Sequence, residues 1–336
     1  MCDHLCSKEE PTRRVPMLTK LICGRHAWVK GDLAREDWFV TLSEVCLDEL
    51  RGVVQHLRRK PLPLLLLSPD DFRLDECRKT MNRVRQILDE GVLFTVIDRL
   101  PLDGVSKTEA KSLFWLLSTL VARPVAQKLD GTMIYDVMDT GLKADAGTAI
   151  RPDKTNTKIV FHNDNAYNQT PPEYTSLLCL QTAKKGPLSR IMGVNMLHNA
   201  LLRRYPKVLP RLYRPFWFDR NAEHRPDEDR LLSAPIFTFD GELMARVALH
   251  QLRNGYKLKG EKMDTAAVVA IDALEDVFRS PGLWLEFFFE RCQLQFVNNS
   301  AIVHSRTAFE DYEEQEKKRH VVRLWLREKG HRAYPG

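Results

Sequence analysis

Apolar positions in the first third of the chain recur at helical spacing and later give way to short alternating runs. Leu47, Leu50, Val54 and Leu57 fall on one side of a helix predicted over residues 43–57. Residues 62–67 read as a short buried strand. Ser68, Pro69, Asp70 and Asp71 then supply a cap, a proline at the first helical position and an acidic first turn, so a helix is expected from there to about Glu90. Gly91 stands where a left-handed residue stops such a helix, and Val92 to Ile97 follows as a strand. Ser106, Lys107, Thr108 and Glu109 form a capping box. It opens a helix through Leu113, Leu116 and Leu117 that must end before Pro124.

From about residue 130 the pattern becomes strand and loop. Two helical stretches interrupt it: residues 195–213, broken at Pro206 and Pro210, and a segment from Asp264 through Ile271, Leu274 and Phe278. No repeat or low-complexity linker divides the chain. The expectation is one catalytic domain over residues 1–336, of mixed α/β class with a mainly β core. Residues 1–129 would form an α/β layer packed on a β-rich core at 130–327.

Composition narrows the function classes. The 336 residues carry 51 basic and 45 acidic side chains, a net charge of +6 too dilute to call for nucleic acid. The apolar runs at Leu64 to Leu67 and Leu113 to Leu117 fall far short of the ~20 residues a bilayer needs, so no membrane is expected. The start, MCDHLCSKEEPTRR, lacks the apolar stretch of a secretion signal, and seven cysteines are spread along the chain. Free thiols and a cytoplasmic location follow as expectations. Cys2, His4 and Cys6 have ligand chemistry but no second half of a metal motif, and read as an ordinary terminus.

Chemistry concentrates in three places. Thr157 to His162 reads as a strand running into Asn163, Asp164 and Asn165, and strand alternation points His162 and Asp164 the same way. Gln293 to Val303 reads as β-structure ending at His304. Two imidazoles and one carboxylate complete a metal-binding face with open positions, which suits iron(II); the same three ligands with water also suit a zinc hydrolase. From Arg319 the chain alternates, with Arg319, Val321, Arg323, Trp325 and Arg327 on one face and His320, Val322, Leu324 and Leu326 on the other. Arg319 and Arg323 stand ~13 Å apart along such a strand. A buried arginine needs an anion, either a dicarboxylate held at the far end from the metal or an internal acid such as Glu310 or Asp311.

The segments FHNDNAY (161–167), FVNNSAIVHSRTAFEDY (296–312) and RHVVRLWL (319–326) resemble the iron(II)- and 2-oxoglutarate-dependent oxygenases of the taurine dioxygenase and clavaminate synthase type, the TauD/TfdA family. Weaker likeness covers residues 172–213 and 235–247. The resemblance implies a double-stranded β-helix, or jelly roll, with surrounding helices. It implies His162, Asp164 and His304 as iron ligands and Arg319 as the grip on the distal carboxylate of 2-oxoglutarate. Arg323 resembles a second arginine for the metal-proximal carboxylate or an acidic substrate, and Ser189 a co-substrate hydroxyl. Asn163, Asn165 and Tyr167 would lie beside the primary-substrate pocket. Two departures stand out. Gly186-Pro187 replaces a Gly-Gly, removing a backbone donor, and Cys292-Gln293 replaces a Gly-Asp before the last metal-bearing strand.

The implied reaction uses Fe(II), 2-oxoglutarate and O2 to oxidise an unactivated C–H bond, by hydroxylation, desaturation or cyclisation, with release of succinate and CO2. The expected substrate is a small polar molecule, amino-acid-like or a secondary-metabolite intermediate and carboxylate-bearing. The other readings are the zinc hydrolase and a non-catalytic jelly roll serving as a binding or scaffold protein.

Overall fold

Helix caps written in the sequence set the N-terminal layer. The computed structural model describes residues 16–141, 154–330 and 332–333. The Cys2, His4 and Cys6 group lies outside them. Helix α1 (Glu44–Arg59) starts at Ser43, whose Oγ accepts the Cys46 N–H, and α3 (Lys107–Val121) starts in the Ser106/Glu109 capping box. Helix α2 (Asp75–Glu90) begins later than the sequence suggests. Ser68 caps only a single 3-10 turn at Pro69–Asp71, and the first helical N–H groups are met from another helix. The Glu49 carboxylate of α1 accepts the Glu76 and Cys77 N–H groups at 2.9 Å each.

Three further local expectations are corrected. Residues 62–67 form no strand: Pro61 and Pro63 withhold ladder donors, and a 3-10 turn at Leu64–Leu66 leaves Leu65 and Leu66 exposed. Only Leu67 is buried, its carbonyl accepting the Trp115 indole N–H of α3 at 3.1 Å. Gly91 is not left-handed (φ −93°); it is required because a Cβ there would meet the Ile87 backbone at 2.8 Å. The left-handed residue is Leu93, at φ 71°. The β-structure expected to end at His304 is two strands, with His304 inside the second.

The strands in chain order are β1 (Phe39–Thr41), β2 (Phe94–Asp98), β3 (Arg123–Val125), β4 (Ile134–Met138), β5 (Ile159–His162), β6 (Tyr174–Gln181) and β7 (Leu188–Gly193). Helices α4 (Val194–Arg204) and α5 (Leu209–Leu212) follow, then hairpins β8 (Phe216–Asp219) with β9 (Leu231–Ala234) and β10 (Phe237–Asp240) with β11 (Glu242–Ala245). Helices α6 (Leu249–Lys259) and α7 (Thr265–Phe278) lead into β12 (Leu285–Phe288), β13 (Leu294–Asn298), β14 (Ile302–Arg306) and β15 (His320–Arg327).

Two facing sheets make the jelly roll. The major sheet runs β1-β2-β13-β6-β15-β3, with β4 sharing the β15 edge; the minor sheet runs β12-β7-β14-β5. All pairs are antiparallel except β1 with β2. Alternation divides each strand between two environments. Leu294, Phe296, Leu178, Val322, Leu324 and Leu326 turn outward into one core with α1 to α3. Phe161, Met192 and Val303 turn outward from the minor sheet onto α4 to α7, a second core. The inward faces meet through Phe94, Val297, Ile191, Leu285 and Ile302, which close one end of the barrel. The other end stays open. No helix among the described residues is long and apolar enough to cross a membrane.

The departure at Cys292 leaves the turn intact. Cys292 adopts the left-handed conformation at φ 71°, held by its N–H to Cys179 O and by the Leu100 N–H to its own carbonyl. Those bonds offset the cost that a glycine would avoid.

Candidate active site

The open end of the barrel gathers His162, Asp164 and His304. Residues His304 and His162 are directly paired across β14 and β5, with ring centroids 4.4 Å apart. Asp164 follows β5 by two residues, and its Oδ1 lies 3.5 Å from His162 Nε2 and 3.8 Å from His304 Nε2. One donor atom from each residue falls within 4.8 Å of the others. The only similar group among the described residues, Cys46, Glu49 and Cys77, has its carboxylate committed to capping α2.

Neighbouring hydrogen bonds orient the three donors. Val160 O sits 2.9 Å from His162 Nδ1, so that nitrogen carries the proton and Nε2 presents a lone pair. On Asp164, Oδ2 accepts the Trp325 indole N–H at 2.9 Å and the Thr175 hydroxyl at 3.2 Å, with the Arg323 guanidinium 3.5 Å away. That leaves Oδ1 facing the histidines. The Asp164 backbone is clamped by Asn299, whose Oδ1 accepts its N–H and whose Nδ2 donates to its carbonyl.

Electrostatics follow from burial and these neighbours. Burial alone would raise the Asp164 carboxyl, but Arg323 and the two histidines hold it well below the usual carboxylate range. His304 is pushed down to about 3, mainly by burial and then by His162. An ionised carboxylate beside a neutral imidazole is the protonation state a cation needs. Two nitrogens and one oxygen with open positions on one side fit a hexacoordinate divalent metal.

A cavity partly open to solvent extends from this cluster toward Arg319; Ser189, Arg323 and Gln295 also line it. Arg319 is 8% exposed, and among the described residues no carboxylate pairs with its guanidinium. Asp311 accepts the Arg319 backbone N–H instead, at 2.8 Å, and Glu310 faces Lys185 on the surface. A buried, unpaired guanidinium aimed into a cavity fits an anionic ligand.

Asn163, Asn165 and Tyr167 lie outside the cavity lining. Asn163 is spent on the fold: its amide donates to Asn299 O and Ile302 O and accepts the Val247 N–H. Asn165 takes the left-handed conformation (φ 55°) and accepts from Asn168 Nδ2, while the Tyr167 hydroxyl donates to Glu223. Asn163→Ala strips partners from three buried backbone groups and is expected to cost about 3 kcal/mol in a urea titration. An unchanged KM for the primary substrate would accompany that loss; a raised KM at unchanged stability would instead place Asn163 at the substrate.

Sequence reasoning missed Gln127. Its Oε1 accepts from Arg323 Nε at 2.8 Å, and its Nε2 donates to Arg323 O and Met133 O. No local pattern joins residues 196 positions apart. Thr175 and Trp325 were findable in part, since Trp325 shares the Arg319/Arg323 face.

Known proteins share this fold. The family described as "Taurine catabolism dioxygenase TauD, TfdA family" matches residues 58–325. FR-33289 synthase of Streptomyces rubellomurinus is 24% identical over 326 residues, 96% of this chain and 94% of that one. Among solved structures, an asparagine oxygenase in complex with Fe(II), 3-hydroxyasparagine and succinate superposes with a TM-score of 0.63 at 18% identity, covering 86% of this chain and 93% of the other. The non-heme iron oxygenase OrfP in complex with Fe and alpha-ketoglutaric acid gives 0.62 at 16%, covering 87% and 94%.

Proposed function

The chain belongs to the taurine catabolism dioxygenase TauD, TfdA family and is an iron(II)- and 2-oxoglutarate-dependent oxygenase, and on that premise we propose that it oxidises an unactivated C–H bond of a small polar, carboxylate-bearing, amino-acid-like or secondary-metabolite substrate. His162 Nε2, Asp164 Oδ1 and His304 Nε2 would hold the iron. Arg319 and the Ser189 hydroxyl, which both line the cavity, would hold the distal carboxylate of 2-oxoglutarate, and Arg323 a second carboxylate nearer the triad. With 2-oxoglutarate and O2, the bound iron supplies the oxidising power, and the co-substrate leaves as succinate and CO2.

The protein's own residues bind and orient. Trp325 and Thr175 keep Asp164 from turning both oxygens to the metal. Gln127 fixes the Arg323 fork. Phe289, Val137, Leu177 and Val321 line the cavity with apolar surface, which limits water around the reacting centre. No side chain need act as a general base.

The observation that carries this reading is one cavity with a neutral-imidazole, ionised-carboxylate triad at one end and an unpaired buried arginine at the other. A zinc hydrolase has no use for Arg319, and a silent barrel would fill the cavity or pair that arginine internally. For the substrate class, support comes from the arginines on the cavity wall (Arg190, Arg306, Arg319 and Arg323) and from the relatives. One solved relative holds 3-hydroxyasparagine, and OrfP has been seen with L-Arg.

An anaerobic titration of the protein with Fe(II) and 2-oxoglutarate should develop the weak visible charge-transfer band of the chelate. A screen of amino acids and related acids coupled to succinate release then identifies the substrate. His304→Ala should abolish succinate release while thermal unfolding stays cooperative. Retained release in that variant would remove His304 from the metal.

A further inference from the structure

Gln295 is a polar residue where the barrel has no structural use for one. It lies on β13 opposite Val96 on one side and Leu177 on the other. Its neighbours Leu294 and Phe296 turn outward into the helical core, so Gln295 turns inward, and it lines the cavity. The residue is 3% exposed, and its Oε1 has no hydrogen-bond partner among the described residues. An unsatisfied buried amide is destabilising, and a leucine would fill the same wall without that cost.

The sheet register shows what passes in front of it. Thr175, which touches Asp164, stands opposite Trp325 and Val297. Two residues along β6, Leu177 stands opposite Arg323 and Gln295. Two further on, Cys179 stands opposite Val321, with Arg319 beyond the end of that strand. Gln295 and Arg323 therefore flank one level of the cavity, between the triad and Arg319.

A molecule spanning from the triad to Arg319 must cross that level. 2-Oxoglutarate offers only acceptors: two carboxylates and a ketone. The amide of Gln295 can present its N–H groups by rotation about its last torsion.

We propose that Gln295 is a binding residue for 2-oxoglutarate, donating an amide N–H to the carboxylate nearer the triad from the same wall as Arg323, across Leu177 from it. This rests on the oxygenase reading above. The amide contributes selectivity for a keto acid of the right length, while the fork at Arg319 holds the other end.

The test compares the full-length protein with Gln295→Leu and Gln295→Met, read by anaerobic 2-oxoglutarate titration in the presence of Fe(II) and by thermal unfolding without ligand. Both variants should bind 2-oxoglutarate about tenfold more weakly, the loss of one charge-assisted hydrogen bond. Both should also unfold at a higher temperature when ligand-free, because the orphaned amide is gone; a purely structural glutamine would give the opposite shift. Gln295→Glu, which sets a carboxylate against a carboxylate, should weaken binding by about a hundredfold or more. Combined with Arg319→Ala, the Gln295→Leu loss should multiply, since the two residues hold different ends.

Parent-like affinity in the leucine and methionine variants overturns the proposal, as does a raised KM for the primary substrate with 2-oxoglutarate binding unchanged. If the parent protein itself develops no charge-transfer band, the oxygenase reading fails instead, so the two failures are distinguishable.

Discussion

Arg319→Ala is expected to weaken 2-oxoglutarate binding by about a hundredfold while leaving iron(II) affinity within about twofold. The guanidinium sits at the far end of the cavity from the triad, and a buried, hydrogen-bonded charge pair that loses one member costs about 2–5 kcal/mol. Tenfold in affinity is about 1.4 kcal/mol, so a hundredfold is the conservative end of that range. Arg319→Lys keeps the charge but loses the two-pronged geometry and should recover only part of the affinity. The ligand-free variant should be no less stable than the parent. Burial already lowers the Arg319 pKa, a sign that the folded protein bears this cation at a cost, with no ion pair offsetting it among the described residues. Equal co-substrate affinity in Arg319→Ala and parent would dismiss the assignment. So would a large loss of iron affinity, which would mean the arginine supports the triad instead.

The features legible in the sequence share one property: they are written within a few residues of one another. The capping box at Ser106 was legible, and Ser43 and Asp264, where two predicted helices start, likewise accept the N–H three residues on. The alternation from Arg319 to Arg327 separates cavity from core because a strand has a period of two: Arg319, Val321 and Arg323 line the cavity, while Val322, Leu324 and Leu326 pack in the core. His162 and Asp164 share a direction for the same reason, and residue chemistry alone adds His304 to them as the second imidazole of a metal-binding face; the family resemblance adds the choice of iron over zinc.

What stayed hidden depends on contacts across the fold. The late start of α2 reflects a carboxylate from α1. Helix α6 was not among the predicted elements, and its Gly255 answers to a distant contact: a Cβ there would collide with the Trp217 backbone. The family resemblance sets Asn163 beside the substrate pocket but says nothing of its amide, which ties the loop to Ile302 and Val247. Gln127 lies far from Arg323 in the chain and meets it because β3 and β4, the strands on either side of Gln127 in sequence, both pair with β15.

Asp164→Asn is expected to abolish iron binding without unfolding the protein, and the hydrogen-bond pattern explains why so small a change is enough. Trp325 Nε1–H and the Thr175 hydroxyl both donate to Oδ2. In the variant those donors demand the amide oxygen, so the NH2 group is turned to the position of Oδ1, between His162 and His304. An amide nitrogen there has no lone pair to give a metal, and its N–H groups point at the two imidazole nitrogens. Disturbing an orienting neighbour of a metal ligand typically costs about 10–100-fold in affinity, and removal of the ligand itself should exceed that, to a thousandfold or more. The fold should survive, because both donors keep an acceptor and the Asn299 clamp acts on the backbone of residue 164. Trp325→Phe provides the graded comparison: it frees Oδ2 from one donor and should fall within the smaller range. Iron titration followed by thermal unfolding of each variant measures both effects. Iron affinity within tenfold of the parent in Asp164→Asn would show that the carboxylate is not a ligand, and that His162 and His304 bind through some other partner.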